Sequence, residues 1–309
     1  MTAHTIVRIV APNPSPMTLE GTNSYVVIGE RGAIAIDPGP ADDAHARALV
    51  AAASAGGVTI GAVAVTHGHP DHAPGAALLH AMTGAPVYAH VDAAFPHDRT
   101  LRDGEHVTSS DAELLAYESP GHARDHLVFW HAAERALFTG DVVVGRGTVV
   151  VAPPGGDMRA YVATLRRLRT DFAEARVLLG GHGPPVDDPR AKLDEYVAHR
   201  EARERAIVDA LRGRERTIPE IVTNVYASTP RPLWPAAARQ VLAHLIALER
   251  EGHVRSRPLA RVPDADERAM LDPDLSALVD RASIAVARAE LGYDRAIDSI
   301  ASYTLAARP

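Results

Sequence analysis

Residues 63–75 of this chain read V-A-V-T-H-G-H-P-D-H-A-P-G and place His67, His69, Asp71 and His72 within six positions. An apolar, β-branched run, Ile60 to Val65, leads in, and a helix-like segment, Ala76 to Met82, follows. The cluster therefore sits on a strand-to-helix loop, where side chains can converge on one point. Neutral imidazole and carboxylate are the ligands that zinc and similar divalent ions prefer. Two histidines one residue apart can grip one ion, and the Asp-His pair after them can point at a second. Histidines also collect by chance or cap loops. Three of them with an aspartate, packed this closely behind a strand, favour the metal reading.

The 309-residue chain has no cysteine, which rules out disulfides and thiolate zinc sites. What remains is the ligand set of catalytic rather than structural zinc. A net charge of −7 gives no global basic field to attract nucleic acid. The length allows one large domain, or one with a smaller partner. The N-terminus, M-T-A-H-T-I-V-R-I-V, lacks the long apolar core of a signal peptide. No stretch reaches the roughly 18 apolar residues of a membrane span. The expectation is a cytoplasmic protein with no membrane partner, which the absence of cysteine fits.

Tyr25 to Ile28 and Ala33 to Ile36 read as a hairpin, broken by the turn word Asp37-Pro38-Gly39-Pro40. Asp37 is assigned to turn and cap there, the alternative being a brace on a metal-binding histidine. Helices are predicted over Ala41 to Ala53, Pro74 to Thr83 and Met158 to Arg169. Strands are predicted over Ile60 to Val65, Val87 to Ala89, Glu113 to Glu118, Leu127 to His131, Ala136 to Thr139 and Arg176 to Leu179. Strands interleaved with helices indicate a layered α/β architecture. Past the Pro184 to Pro189 boundary strand character fades. A long charged helix, Ala191 to Leu211, precedes a short helix with Thr217 and Glu220 at capping-box spacing. A helix over Pro235 to Glu251 and an extended segment over His253 to Arg257 complete a helix-turn-helix-wing pattern. The tail from Asp264 reads as mostly helical. Leu275, Leu278, Val279, Ala282 and Val286 form an apolar stripe, assigned to core packing with a homodimer interface as the alternative.

Three more candidate ligands each end a predicted strand beside glycine: His122 in S-P-G-H, Asp141 in F-T-G-D and His182 in G-G-H-G. Alone, each would more often be a loop or core residue. Following the His67 cluster in this order, they resemble the metallo-β-lactamase superfamily, whose pattern is H-x-H-x-D-H, then a lone His, an Asp and a last His. The resemblance covers roughly residues 5–190. It implies a four-layered αββα sandwich over residues 1–189, then a helical winged-helix-like domain over 190–262 and a helical extension over 263–309. It implies one ion on His67, His69 and His122, a second on Asp71, His72 and His182, and Asp141 bridging them. Two divalent ions are expected: zinc first, with manganese or iron as alternatives. Paired cations lower the pKa of a shared water towards neutrality, giving a hydroxide nucleophile that Asp71 can orient.

Flanking words narrow the resemblance. A-P-N-P-S-P-M-T-L-E-G-T-N-S-Y at 11–25, V-V-A-P-P-G-G-D-M at 150–158, G-H-G-P-P at 181–185 and A-H-R-E-A-R at 198–203 look like the β-lactamase-like protein 2 branch. Animal members are implicated in cutting single-stranded RNA, and fungal relatives act as thioesterases. The first expectation is a hydrolase for a small-molecule ester or thioester. The alternative is an endoribonuclease on single-stranded RNA, gripped by arginines such as Arg212, Arg231, Arg255 and Arg257 of the C-terminal domain. A non-catalytic, metal-dependent nucleic-acid-binding regulator comes third. His126 joins Asp71 as a catalytic candidate facing substrate, or else caps the following strand. Asn23 and Tyr25 are candidates for lining the pocket, and Tyr25 equally reads as a core-facing strand residue. Gly68 and Pro70 replace bulkier or charged spacers and put the cavity floor in question.

Overall fold

The computed structural model of the chain describes residues 4–271 and 300–306. One sheet carries β1 (Thr5–Val10), β2 (Asn23–Ile28), β3 (Ala33–Ile36), β4 (Ile60–Ala64), β5 (Val87–His90) and β6 (Arg99–Leu101) in that spatial order. The first three strands are antiparallel and the rest parallel. Strand side chains alternate between faces. Val26, Ala35 and Val63 pack outward against Leu49 of α1 (Asp43–Ala55) and Leu79 of α2 (Gly75–Thr83). Tyr25, Val27, Ile34 and Ile36 point the other way, into the space between the sheets.

The second sheet carries β7 (His106–Ser109), β8 (Ala112–Glu118), β9 (Leu127–His131), β10 (Ala136–Gly140) and β11 (Val177–Gly180) in the order β11-β10-β9-β8-β7. Only β10 and β11 are parallel. Its inner face sends Leu114, Phe129 and Phe138 to meet the first sheet. Burying each of these contributes roughly 1.5–3 kcal/mol. Its outer face packs Trp130 and Leu137 against Tyr161, Leu165 and Leu168 of α3 (Met158–Asp171). Two helix-covered sheets face to face are the expected αββα layers. β1, β6 and β7 lie outside the strands read from sequence. β6 is three residues long and mostly exposed, and β7 shows only two buried positions, too little pattern to detect.

The C-terminal part begins with α4 (Pro189–Ala210), which packs along α3. β12 (Arg216–Thr217), α5 (Ile218–Val225), α6 (Trp234–Arg250), β13 (Val254–Pro258), α7 (Ala265–Leu271) and β14 (Ala301–Leu305) follow. The predicted capping box is present, with Thr217 and Glu220 satisfying each other's backbone N–H groups. The reading of the tail as mostly helical is amended at one segment. α7 is helical, but β14 pairs antiparallel with both β12 and β13 and forms the centre of the wing sheet. Its sequence, A-S-Y-T-L, has no run of apolar residues to mark it. The Leu275 to Val286 stripe, and the homodimer interface suggested for it, lie outside the described residues. Among the described residues, no helix is long and apolar enough to cross a membrane.

Candidate metal centre

The seven predicted ligands converge from loops at the C-terminal ends of four strands. His67, His69, Asp71 and His72 follow β4, His122 follows β8, Asp141 follows β10 and His182 follows β11. Nδ1 of His69 lies 2.9 Å from Nε2 of His67 and 3.1 Å from Nε2 of His122. Asp71 Oδ2 lies 3.5 Å from Nε2 of His72 and 3.3 Å from Nε2 of His182. Asp141 stands between the two groups. Its Oδ1 is 3.5 Å from Nε2 of His72, and its Oδ2 is 3.3 Å from Nε2 of His182 and 3.9 Å from Nε2 of His122. Three sets of donors, His67/His69/His122, His67/His72/Asp141 and Asp71/His72/His182, each gather their ligand atoms within 4.8 Å of one another.

These residues fit divalent cations. Asp71 Oδ1, His72 Nε2 and Asp141 Oδ1 are buried with no hydrogen-bond partner. Each such atom costs about 1–3 kcal/mol, more when charged, unless something satisfies it. Space is kept open beside them: a Cβ on Gly181 would stand 2.4 Å from Asp141 Oδ1 and 2.6 Å from His72 Cε1. Burial and the neighbouring imidazoles hold His67 well below the usual imidazole range, so it is neutral, the form that binds metal. His72 goes the other way. Burial lowers it, but Asp71, Asp37 and Asp141 outweigh that and raise it to about 9. Burial raises Asp71, yet His72 and His182 hold it down to about 2. Asp71 thus stays ionised while His72 holds its proton, the mark of a pocket whose carboxylates favour positive charge.

A second layer fixes which nitrogen faces inward. His72 Nδ1 donates to Asp37 Oδ2 at 2.8 Å, leaving Nε2 for the centre. Thr66 donates its hydroxyl to the same Oδ2 at 2.7 Å and its backbone N–H to Oδ1 at 2.7 Å. With that proton committed, Thr66 Oγ1 accepts from His67 Nδ1 at 3.0 Å, again leaving Nε2 inward. His122 Nδ1 donates to Val150 O at 2.9 Å, and His182 Nδ1 to Gly21 O at 3.3 Å. The turn-and-cap assignment of Asp37 is thus corrected. Asp37 is buried, with φ at 46°, and braces two ligands, while Asp42 caps α1. A D-P-G-P word looks the same in either role, and only the long-range partner distinguishes them.

Three further candidates change role. His126 is fully buried behind the ligands rather than facing substrate. Its ring stacks on His67 at 4.7 Å, and its Nε2 accepts the backbone N–H of Asp141 at 3.1 Å. Asn23 and Tyr25 do not line the pocket either. The Asn23 amide donates to Gly180 O at 2.9 Å and Gly183 O at 2.8 Å, and the Tyr25 hydroxyl donates to Gly180 O at 2.8 Å. They anchor the loop that carries His182. Thr22, from the same T-N-S-Y word, reaches Asp71 Oδ2 at 3.4 Å. Gly68 is exposed on the rim, its N–H donated to Asp125 at 2.9 Å, and is not part of a floor.

A cleft of about 300 Å³ opens on His122, Asp141 and His182. Met17, Leu19, Val144 and Val149 line it from the sandwich, and His199, Arg203, Tyr226 and Leu233 from the C-terminal helices. Fold, donor set and open cleft together define a metal-dependent hydrolase. The metallo-β-lactamase superfamily description matches residues 17–182, and that of the β-lactamase-associated winged helix domain matches residues 217–259. The chain belongs to the metallo-β-lactamase superfamily, in the branch that carries this winged helix. A β-lactamase-like protein 2 homolog of Caenorhabditis elegans is 33% identical over 263 residues, 81% of this chain and 86% of that one. Lactamase-like protein adaB of Aspergillus niger is 34% identical over 245 residues, 73% of this chain and 74% of that one. A metallo-β-lactamase family protein from Thermus thermophilus shares the fold, with a TM-score of 0.68 at 23% identity over 82% of this chain and 95% of that one.

Proposed function

We propose that the chain is a dinuclear metallohydrolase acting on a small-molecule ester or thioester. The observation that carries this is the set of buried donor atoms without a hydrogen-bond partner on Asp71, His72 and Asp141, beside an apolar-walled cleft that Asp141, His122 and His182 line. His67, His69 and His122 would hold one ion, Asp71, His72 and His182 the other, with Asp141 between them. Zinc is the first expectation for imidazole and carboxylate donors. When bound, such a pair supplies water activation and polarisation of the carbonyl under attack. The chain's own residues do the rest. Asp71 Oδ1 is free to accept a proton of the attacking water and so to orient it. His126 holds the backbone of Asp141, and Asp37 with Thr66 fixes the imidazole tautomers. Met17, Leu19 and Val144 keep the cleft apolar where an acyl chain would lie. The domain division at residues 189 and 262 is part of the same reading, with β14 added to the second domain.

Cleavage of single-stranded RNA is the second reading. It needs a free basic face on the winged helix, and the arginines there are largely engaged. Arg257 pairs with Glu215 at 2.7 Å, Arg250 with Asp157 at 2.7 Å and Arg212 with Asp209 at 2.9 Å. Arg216 donates to Ala210 O at 2.7 Å. A screen of the metal-loaded chain on thioesters, esters, lactones and phosphodiesters, with His67→Ala as control, tests the order. Thioester or ester turnover lost in the control is the expected result. Metal-dependent RNA cutting with no ester turnover overturns it.

A further inference from the structure

The cleft has a second polar end, opposite in character to the metal centre. Asp141 is the sole carboxylate among its described lining residues, whereas His199, Arg203 and Arg146 all line it. Arg146 is neutralised by Glu20, at 2.5 Å. Among the described residues no carboxylate pairs with Arg203. Its guanidinium lies over the Tyr226 ring at 4.5 Å and donates through Nη1 to Val225 O at 3.1 Å, a neutral partner. Behind it Arg200, 1% exposed, is held by Gln240 Oε1 and Val149 O, each at 2.7 Å, and by the Tyr161 ring. It too has no carboxylate partner among the described residues. His199 Nδ1 is buried without a hydrogen-bond partner.

The acids of α4 cannot offset these charges because each is already taken. Glu201 pairs with Arg166, Glu204 with Arg159, Asp194 with Arg169, Glu195 with Lys192 and Asp209 with Arg212. Three of these pairs face α3, away from the cleft. Three of the five carboxylates of α4 are thus drawn to α3, and none of the five lines the cleft, where Arg203 and His199 do. Burial first, then Arg200, Arg203 and His244, push His199 down to about 4, against a smaller upward pull from Glu195. With Nη1 engaged, Arg203 still presents Nε and Nη2, a planar fork that matches an oxyanion. Met17, Leu19 and Val144 line the same cleft.

We propose that the α4 wall, centred on Arg203 with His199 beside it and Arg200 behind, is a subsite for an anionic group at the far end of the substrate. The substrate is then an ester or thioester whose apolar segment separates the scissile carbonyl from a carboxylate or a phosphate monoester. This rests on the hydrolase reading for the word substrate, and on the cleft alone for the binding. The test is calorimetric binding to the zinc-loaded full-length chain, using hexanoate, butyl phosphate and the neutral isostere hexanamide. At least about tenfold preference for one or both anions over hexanamide is expected. The better-bound anion identifies the source of charge. Arg203→Gln should erase the preference, Arg203→Lys should keep part of it, and Arg255→Gln on the wing should leave it intact. Equal binding of hexanoate, butyl phosphate and hexanamide overturns the proposal. So does a preference that disappears in His67→Ala but survives in Arg203→Gln, since the anion then sits on the metals. Displacement of the bound anion by a single-stranded oligoribonucleotide at equal phosphate concentration overturns the small-molecule assignment. Turnover is not read, so this result stands apart from the fate of the hydrolase reading.

Discussion

Two clusters of charged side chains lie close together in this molecule, and they are satisfied in opposite ways. Along the α3–α4 seam the carboxylates are matched by basic side chains. Arg159 meets Glu204 and Glu251, Arg166 meets Glu201, and His244 is hydrogen-bonded to Glu204. In the metal centre, equally deep or deeper, Asp71, His72 and Asp141 each keep a buried atom with no hydrogen-bond partner. The difference lies in the acceptors: the seam's carboxylates are matched by basic side chains of the protein, whereas Asp71 and Asp141 each keep a buried oxygen that a bound cation would satisfy.

Breaking the centre should give the largest effect, and on activity alone. His67 belongs to two of the three donor sets. His67→Ala should lower kcat/KM beyond the roughly 100-fold that marks loss of an outer brace, and should lower bound metal in elemental analysis. Thermal unfolding of the metal-free protein should change little. A variant that keeps full metal content would contradict the assignment of His67. Next comes Asp37→Asn, which weakens the brace on His72 while leaving every ligand in place. A loss of about 10–100-fold in metal affinity or activity is expected, read by competition with a chromophoric chelator.

The seam should respond in stability and only weakly in activity. Glu204 is the group to perturb. Burial raises it, but hydrogen bonds from His244 and Arg159 outweigh that and take it from 4.5 to about 2. A carboxylate depressed on folding contributes stability that is full above pH 4.5 and is lost as pH falls towards 2. Wild type should therefore lose stability across that window, and Glu204→Gln should flatten the loss while starting from a lower melting temperature. An unchanged acid profile in Glu204→Gln would remove this group from the seam's account.

How much of this was legible in the sequence follows the same division. The ligands were legible because metal binding needs particular residue types at short spacing, and His67 to His72 supply four of them on one loop. The braces were not, because a brace is defined by its partner. Asp37 and Thr66 are 29 positions apart, and Asn23 reaches residues 157 and 160 positions away. The layers of the fold were legible from apolar runs such as Ala33 to Ile36. β14 was not, since a short polar strand is recruited by the free edges of β12 and β13 rather than by its own pattern.

The smallest expected effect draws the boundary between the two clusters most finely. The sequence allowed Tyr25 to be a pocket residue, and the structure ties its hydroxyl to Gly180 O beneath the His182 loop. Tyr25→Phe removes one buried hydrogen bond and leaves the ring packed edge-on against Phe138 at 5.2 Å. A loss of about 1 kcal/mol in unfolding free energy is expected, with KM unchanged because no substrate group is touched. If KM rises several-fold while stability holds, Tyr25 belongs to the cleft after all. If stability falls and kcat drops slightly with it, the loop that presents His182 is shown to draw its rigidity from the first sheet. Residues of the first sheet would then act on the centre through a backbone carbonyl rather than through a ligand.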